Sequence, residues 1–355
     1  MANFNYGGQA VVEGVMMRGR HSVAVAVRRS SGDILVHEET LNPRLYANRL
    51  FQLPFLRGVL LLWDMLILGT RMLAFAASAS QAPESARDTG PESRHPAPNS
   101  TQVAPDISPH GPGGEFVVRV APGAVATAAT HAPRIVQSGP QDVPSIGGPA
   151  LAFTLLLSLA FAVVLFFLTP VALVNVAERW LGNGWLSLAA EGAVRLTILL
   201  AYLWVIGRMP GVRRVFEYHG AEHKAINTYE SGLPLDVEHV RAASKVHTRC
   251  GTGFLLLVMV VSIFVFALVG RPALPLLVLS RVLLIPVVAS IAYELMRLGA
   301  ANYRFRVVRW LLAPGLALQG LTTRQPDDRQ IECAIVALER VLREDRASGA
   351  PVRVA

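Results

Sequence analysis

Four apolar stretches, at about residues 150–176, 186–206, 254–270 and 274–296, restrict what this chain can fold into more than anything else in it. Roughly 20 apolar residues in a helix cross the ~30 Å hydrocarbon core of a bilayer. In lipid such a segment must satisfy its own backbone hydrogen bonds, which a helix does. The third stretch is short but gains length from Gly251 to Gly253. Composition agrees: 52% of the 355 residues are hydrophobic and 16% charged, against about 25% charged in soluble domains. An integral membrane protein is expected, and an ordinary soluble enzyme is excluded.

The net charge of +8 comes almost wholly from arginine, with lysines only at Lys224 and Lys245. On an apolar chain, basic loops fit an anionic membrane surface, so the bilayer is the expected partner and no nucleic acid is expected. One basic residue joins the first two spans (Arg179) and one the last two (Arg271). Seven lie between spans two and three: Arg208, Arg213, Arg214, Lys224, Arg241, Lys245 and Arg249. The positive-inside rule then places both termini and this central loop, 207–253, in the cytoplasm, with the chain in the inner membrane. Two cysteines, Cys250 and Cys333, are too few for a secreted disulfide scaffold. Residues 1–20 show no basic start followed by an apolar core, so no cleaved signal peptide is expected.

The expected fold is mostly α, a four-helix transmembrane bundle over 149–298, preceded by a small β segment over 1–49. Within that segment Ser22 to Arg28 and Asp33 to His37 flank Ser30-Ser31-Gly32, a hairpin pattern. Residues 50–77 are apolar but carry Arg57, Asp64 and Arg71 on one helical face. This favours a helix that lies in the interface, or packs its charged stripe inward, over one that spans. Residues 78–148 hold eleven of the 23 prolines and read as a disordered linker, and no ligand role is given to its His95, His110 and His131. In the C-terminal cytoplasmic segment, 299–355, Asp327 and Gln330 form a capping box. The helix it opens has Ile331, Ala334, Ile335, Leu338, Val341 and Leu342 on its apolar face.

Chemistry concentrates at the ends of the central loop. In Tyr218-His219-Gly220-Ala221-Glu222-His223-Lys224 the two histidines are four apart, so on a helix both imidazoles leave one face. Such a pair can hold a divalent metal, zinc above all, with Glu222 beside it as general base. The order H-x-x-E-H is also that of inverted zinc peptidases. A hydrogen-bonded cluster at the membrane surface is the other reading. At the far loop end, His247-Thr248-Arg249-Cys250-Gly251-Thr252 precedes span three. Spans two and three are antiparallel, so His247 or Cys250 comes within reach, and His₃ or His₂Cys with an open position is a catalytic zinc arrangement. Glu230 and Glu294 are alternative oxygen ligands, and Glu294 can equally pair with an arginine. Within the spans, Glu191 and Arg281 fall at similar depth, ~8–10 Å from the outer ends, with Arg195 one turn from Glu191. A structural Glu–Arg lock is favoured there over a polar pathway.

Several blocks resemble the YqhQ-like (DUF1385) family, a bacterial family of unknown function with chloroplast relatives. They are Gly7-Gly8-Gln9-Ala10-Val11-Val12-Glu13-Gly14-Val15-Met16-Met17-Arg18-Gly19, the stretch Glu217 to Lys224, and His247 to Thr252. Gly315-Leu316-Ala317-Leu318-Gln319, Leu321-Thr322-Thr323-Arg324 and Ile331-Glu332 look like its C-terminal block. The resemblance covers nearly everything but 78–148, which looks like an insertion. It implies a multi-pass membrane protein, sometimes labelled a predicted metal-dependent enzyme, with no settled reaction. The leading expectation is a hydrolase-like site at the cytoplasmic membrane face. His219, His223 and His247 would hold the metal there, with Cys250 as a spare ligand. Gln9, Glu13, Arg18, Gln319 and Thr322 would close over it, and Arg249 or Arg213 would hold an anionic group. The alternative is a non-catalytic scaffold or assembly factor for other membrane proteins, with a transporter as a weaker third.

Overall fold

A computed structural model describes residues 6–41, 53–81, 133–138, 149–177, 180, 182, 184–270 and 272–349. The N-terminal segment forms strands β1 (Gly7–Val11), β2 (Gly14–Arg18), β3 (Ser22–Arg28) and β4 (Ile34–Thr40), paired antiparallel in sequence order. The β3–β4 turn is closed by Arg29 and Asp33, with Gly32 at φ 94°, a conformation glycine adopts without strain. A fifth strand, β5 (Ile135–Gln137), pairs parallel to β4 and covers its edge. Those three residues fall in the stretch expected as a disordered linker, so that expectation fails for them. Residues 78–81 of that stretch belong to helix Leu56–Gln81, and residues 82–132 and 139–148, with the three histidines, lie outside the described residues.

Both faces of the sheet are buried, which explains the unbroken apolar run of β3. Ala24 and Ala26, with Val15, Met17, Ile34 and Val36, pack against helices α5 (Pro210–Glu230) and α11 (Asp328–Ala347). Val23, Val25 and Val27, with Met16 and Leu35, pack against helix α1 (Leu56–Gln81) through Leu68, Met72, Phe75 and Ala76. Helix α11 opens with the expected Asp327–Gln330 capping box and buries the expected apolar face. Near its other end the buried Asp345 accepts hydrogen bonds from the Tyr6 hydroxyl and the Arg20 and His21 amides, tying the last helix to the first strands. Cys333 lies in this core, where burial pushes its thiol up to about 12. A thiol so raised is almost wholly protonated at about pH 8 and unreactive. Cys333 should therefore resist N-ethylmaleimide in the folded protein and label fully in denaturant, as read by mass spectrometry.

Among the described residues, four helices are long and apolar enough to cross a membrane, Leu56–Ser80, Phe153–Val176, Trp185–Ile206 and Gly251–Val269, and the bent pair Leu274–Leu283 and Ile285–Ala301 makes a fifth if it counts as one span. The second runs from α2 (Pro149–Val163) through a π-helical turn (Val164–Leu168) into α3 (Thr169–Val176). The others beyond α1 are α4 (Trp185–Ile206) and α7 (Gly251–Val269); between α5 and α7 lies the short α6 (Val237–Ala242). The stretch 207–253, expected as a loop, is thus largely helical. The fourth expected span, 274–296, is instead two helices, α8 (Leu274–Leu283) and α9 (Ile285–Ala301), bent by 41° at Leu284. Pro286 explains the break, because it has no amide for the Val282 carbonyl and its ring crowds that turn. Helix α10 (Arg306–Thr322) follows, carrying Pro314 within it.

Helix α1 is long and apolar enough to cross a membrane by length and composition alone, while its second half packs on the sheet through Leu68, Met72 and Phe75. Its charged stripe faces inward: Arg57 chelates Glu294 of α9, Asp64 lies 3.6 Å from Arg18, and Arg71 lies 2.9 Å from Glu39. Trp63, Leu66, Ile67 and Leu73 are left exposed on the other side. Between the apolar helices, Arg195 bonds Glu191 at 2.8 Å, and Arg281 reaches the same carboxylate at 3.2 and 3.3 Å. Pro170 cannot donate to the Phe166 carbonyl, and the Arg195 Nε takes that acceptor at 3.0 Å. These charges lock helices together, as the favoured sequence reading expects.

Candidate metal centre

Three elements meet at the centre. Helix α5 carries His219 and His223 one turn apart on one face, their rings 4.4 Å apart. The N-cap of α7 is Cys250, whose Sγ accepts from the Thr252 amide. The last turn of α10 and the segment after it run alongside α5 at Gly220, where a Cβ would overlap the Arg324 carbonyl oxygen. That close approach brings the Thr322 carbonyl to His219, whose Nδ1 donates to it at 2.9 Å. His223 Nδ1 donates likewise to the Lys245 carbonyl at 2.6 Å. Since a carbonyl only accepts, each Nδ1 carries a proton, and in the neutral ring Nε2 is then the atom with the lone pair. One ligand atom each from His219, His223 and Cys250 lies within 4.8 Å of the others, and His219 Nε2 is 3.3 Å from the Cys250 sulfur.

Around this trio the neighbours are polar and fixed. Thr252 Oγ1 lies 3.0 Å from the Cys250 sulfur and 3.2 Å from the Thr322 hydroxyl. Gln319 accepts from the His247 amide at 3.0 Å and donates to the His247 carbonyl at 2.7 Å, clamping the loop before α7. Glu222 is buried, with Oε2 3.6 Å from His223 Nε2. Burial pushes its carboxyl up, against the opposing pull of His219, His247 and the Gly8 amide. Strand β1 passes so close that a Cβ on Gly8 would stand 2.8 Å from Glu222 Cγ and 2.6 Å from the Met16 carbonyl oxygen.

His247, expected as the third imidazole, stands second to Cys250. Its ring is 5.6 Å from that of His223, and its buried Nε2, 3.6 Å from Glu230, has no hydrogen-bond partner among the described residues. Burial would push the Glu230 carboxyl up, but His247 and Arg249 outweigh it and hold it below the usual range.

A family model described as "Protein of unknown function (DUF1385)" matches residues 53–344. The chain belongs to the DUF1385 family. It is 33% identical over 345 residues to "Uncharacterized protein YqhQ" of Bacillus subtilis (strain 168), covering 97% of this chain and 94% of the relative. No solved structure matches it. Not every residue expected at the centre reaches it. Glu13, at φ 55° in the β1–β2 turn, pairs with Arg214, and Arg18 faces Asp64. Gln9 is exposed and lies against Gly69 of α1. Arg213 is exposed beside Glu217 at 3.5 Å, Arg249 is spent on Glu230, and Glu294 on Arg57. Each has a nearer opposite charge or neighbour than the cluster. Gln319 and Thr322 do reach it. Sequence reasoning assigned no role to Thr252, Lys245 or Gly220. A glycine inside a helical histidine motif was the one signal, since it lowers helix propensity unless something must pass close by.

Proposed function

We propose that this DUF1385 protein binds a divalent metal, zinc by the chemistry of its donors, and uses it in hydrolysis at the cytoplasmic face of the membrane. The observation that carries the reading is the pair of Nδ1–H···O=C bonds. They are the arrangement that orients zinc-bound histidines and fixes their tautomer, and here His219 Nε2 stands 3.3 Å from the Cys250 sulfur with the His223 ring beside it. Two imidazoles and a thiolate leave a fourth position open, the pattern of catalytic rather than structural zinc. A zinc ion there would lower the pKa of a coordinated water and polarise a carbonyl or phosphoryl oxygen. Glu222 would take the proton of the attacking water and pass it to the leaving group. A buried carboxyl with a raised pKa suits that exchange near neutrality. His247, whose buried Nε2 faces Glu230 at 3.6 Å, would add a second polar ring beside the site. The arginine-rich 207–253 stretch supports a cytoplasmic location for this chemistry and for both termini.

Elemental analysis of protein purified in detergent tests the reading. About one zinc per chain is expected, falling to background in His219→Ala and His223→Ala variants that elute like the parent. Removing even an outer partner of a zinc ligand typically costs about 10–100-fold in affinity. Protein that stays metal-free after loading with zinc, or a double variant that keeps its metal, overturns the proposal.

A further inference from the structure

An apolar groove begins at the candidate centre. Its walls are α7, α9 and α10, and it encloses about 240 Å³. One end is polar, formed by Thr248, Cys250 and Gln319, and is therefore continuous with the His/Cys cluster. The other end is formed by Leu256, Val260, Met296 and Leu312, with Leu311 64% exposed at its rim. From Cys250 to Val260 is ten residues, so along a helix the groove runs about 15 Å. Gly253 and Gly315 face each other across the polar end, where a Cβ on either would make ordinary van der Waals contact with the other's backbone at 3.7–3.9 Å. Cavities lined by leucine and valine do not hold water and take apolar guests instead.

The surroundings decide which guest. Helix α7 is among those apolar enough to cross a bilayer, and α10 exposes Val307, Trp310 and Leu311 on its outer side. Such a face rests against acyl chains, so the solvent at the rim is hydrocarbon. From these observations we infer that the groove takes the hydrocarbon chain of a bilayer amphiphile and sets its polar head against Cys250 and Gln319. Under the proposed function, on which this rests, the substrate is a lipid rather than a soluble peptide or nucleotide. Gln319 then has two roles, holding the His247 loop and bordering the lipid head.

Photolabelling with a diazirine-bearing palmitic acid, on full-length protein in phosphatidylcholine vesicles, tests the inference. Label should concentrate on peptides containing Val260 and Leu312, about tenfold above the exposed Phe153 and Leu157 of α2, which report bulk lipid. A large excess of unlabelled palmitic acid should suppress the groove signal and leave the α2 signal. Filling the groove by Val260→Phe or, from the facing helix, Leu312→Phe should cut groove labelling by about tenfold. Equal labelling of groove and α2, or a groove signal that palmitic acid does not compete, overturns the inference. Labelling needs no metal, so a chain that binds palmitate but no zinc refutes the proposed function alone. A zinc-loaded chain with an unlabelled groove refutes only the lipid assignment.

Discussion

Glu191→Gln should cost about 3–5 kcal/mol of stability, the usual consequence of removing one partner from a buried charge network. Glu191 is the carboxylate that answers two arginines, and Arg195 and Arg281 are both essentially fully buried. Arg195 has secondary acceptors in the Phe166 carbonyl and Ser262. Arg281 does not: its Nη1 has no partner among the described residues, and its guanidinium lies 4.4 Å from the centre of the Phe266 ring. Without the carboxylate, two cations face one neutral amide in an apolar bundle. Loss of monodisperse protein in detergent, or a large fall in melting temperature, would register the effect. The triple variant Glu191→Leu, Arg195→Met, Arg281→Met removes the charges together and should recover most of the loss, since apolar replacement of a whole buried network is often neutral or better. A Glu191→Gln protein that melts like the parent would show that the carboxylate is dispensable.

Gly220→Ala should be the most damaging single methyl in the candidate centre. Its Cβ would overlap the Arg324 carbonyl oxygen, a backbone atom that no rotamer change moves aside. Alanine gains about 1 kcal/mol of helix propensity over glycine, but overpacking of this kind costs typically 1–3 kcal/mol or more. Under the proposed function, the larger effect falls on zinc binding. Pushing residue 324 outward draws the Thr322 carbonyl from His219 Nδ1, and loss of such a partner lowers affinity about 10–100-fold. Zinc competition with a chromogenic chelator would read it directly. Gly211→Ala in the same helix, with nothing within 4 Å, is the matched control and should leave both stability and zinc affinity intact.

Periodicity and end signals exposed much of this fold. Three spans, the β3–β4 hairpin, the capping box at Asp327 and the buried face of α11 all follow from local pattern, which a lone sequence displays. What escaped was set by distant partners. β5 is three residues long and is recruited by an edge more than ninety residues away. Helix α10 was overlooked because Pro314 interrupts its pattern. The stripe of α1 could be seen, but not that Glu294, Arg18 and Glu39 would meet it from three other elements. At the centre, the one-turn spacing of His219 and His223 was plain from the residues. That Cys250 would stand nearer than His247 depends on how α7 begins, which spacing does not reveal.

The cluster draws on Gly8, His219, His223 and Cys250, and on a carbonyl at Thr322 held in place by the chain at Arg324. A nascent chain emerging from the ribosome therefore lacks the complete cluster until residue 324 has been made. Truncation before residue 322 would leave a bilayer-embedded polypeptide with its histidines unoriented.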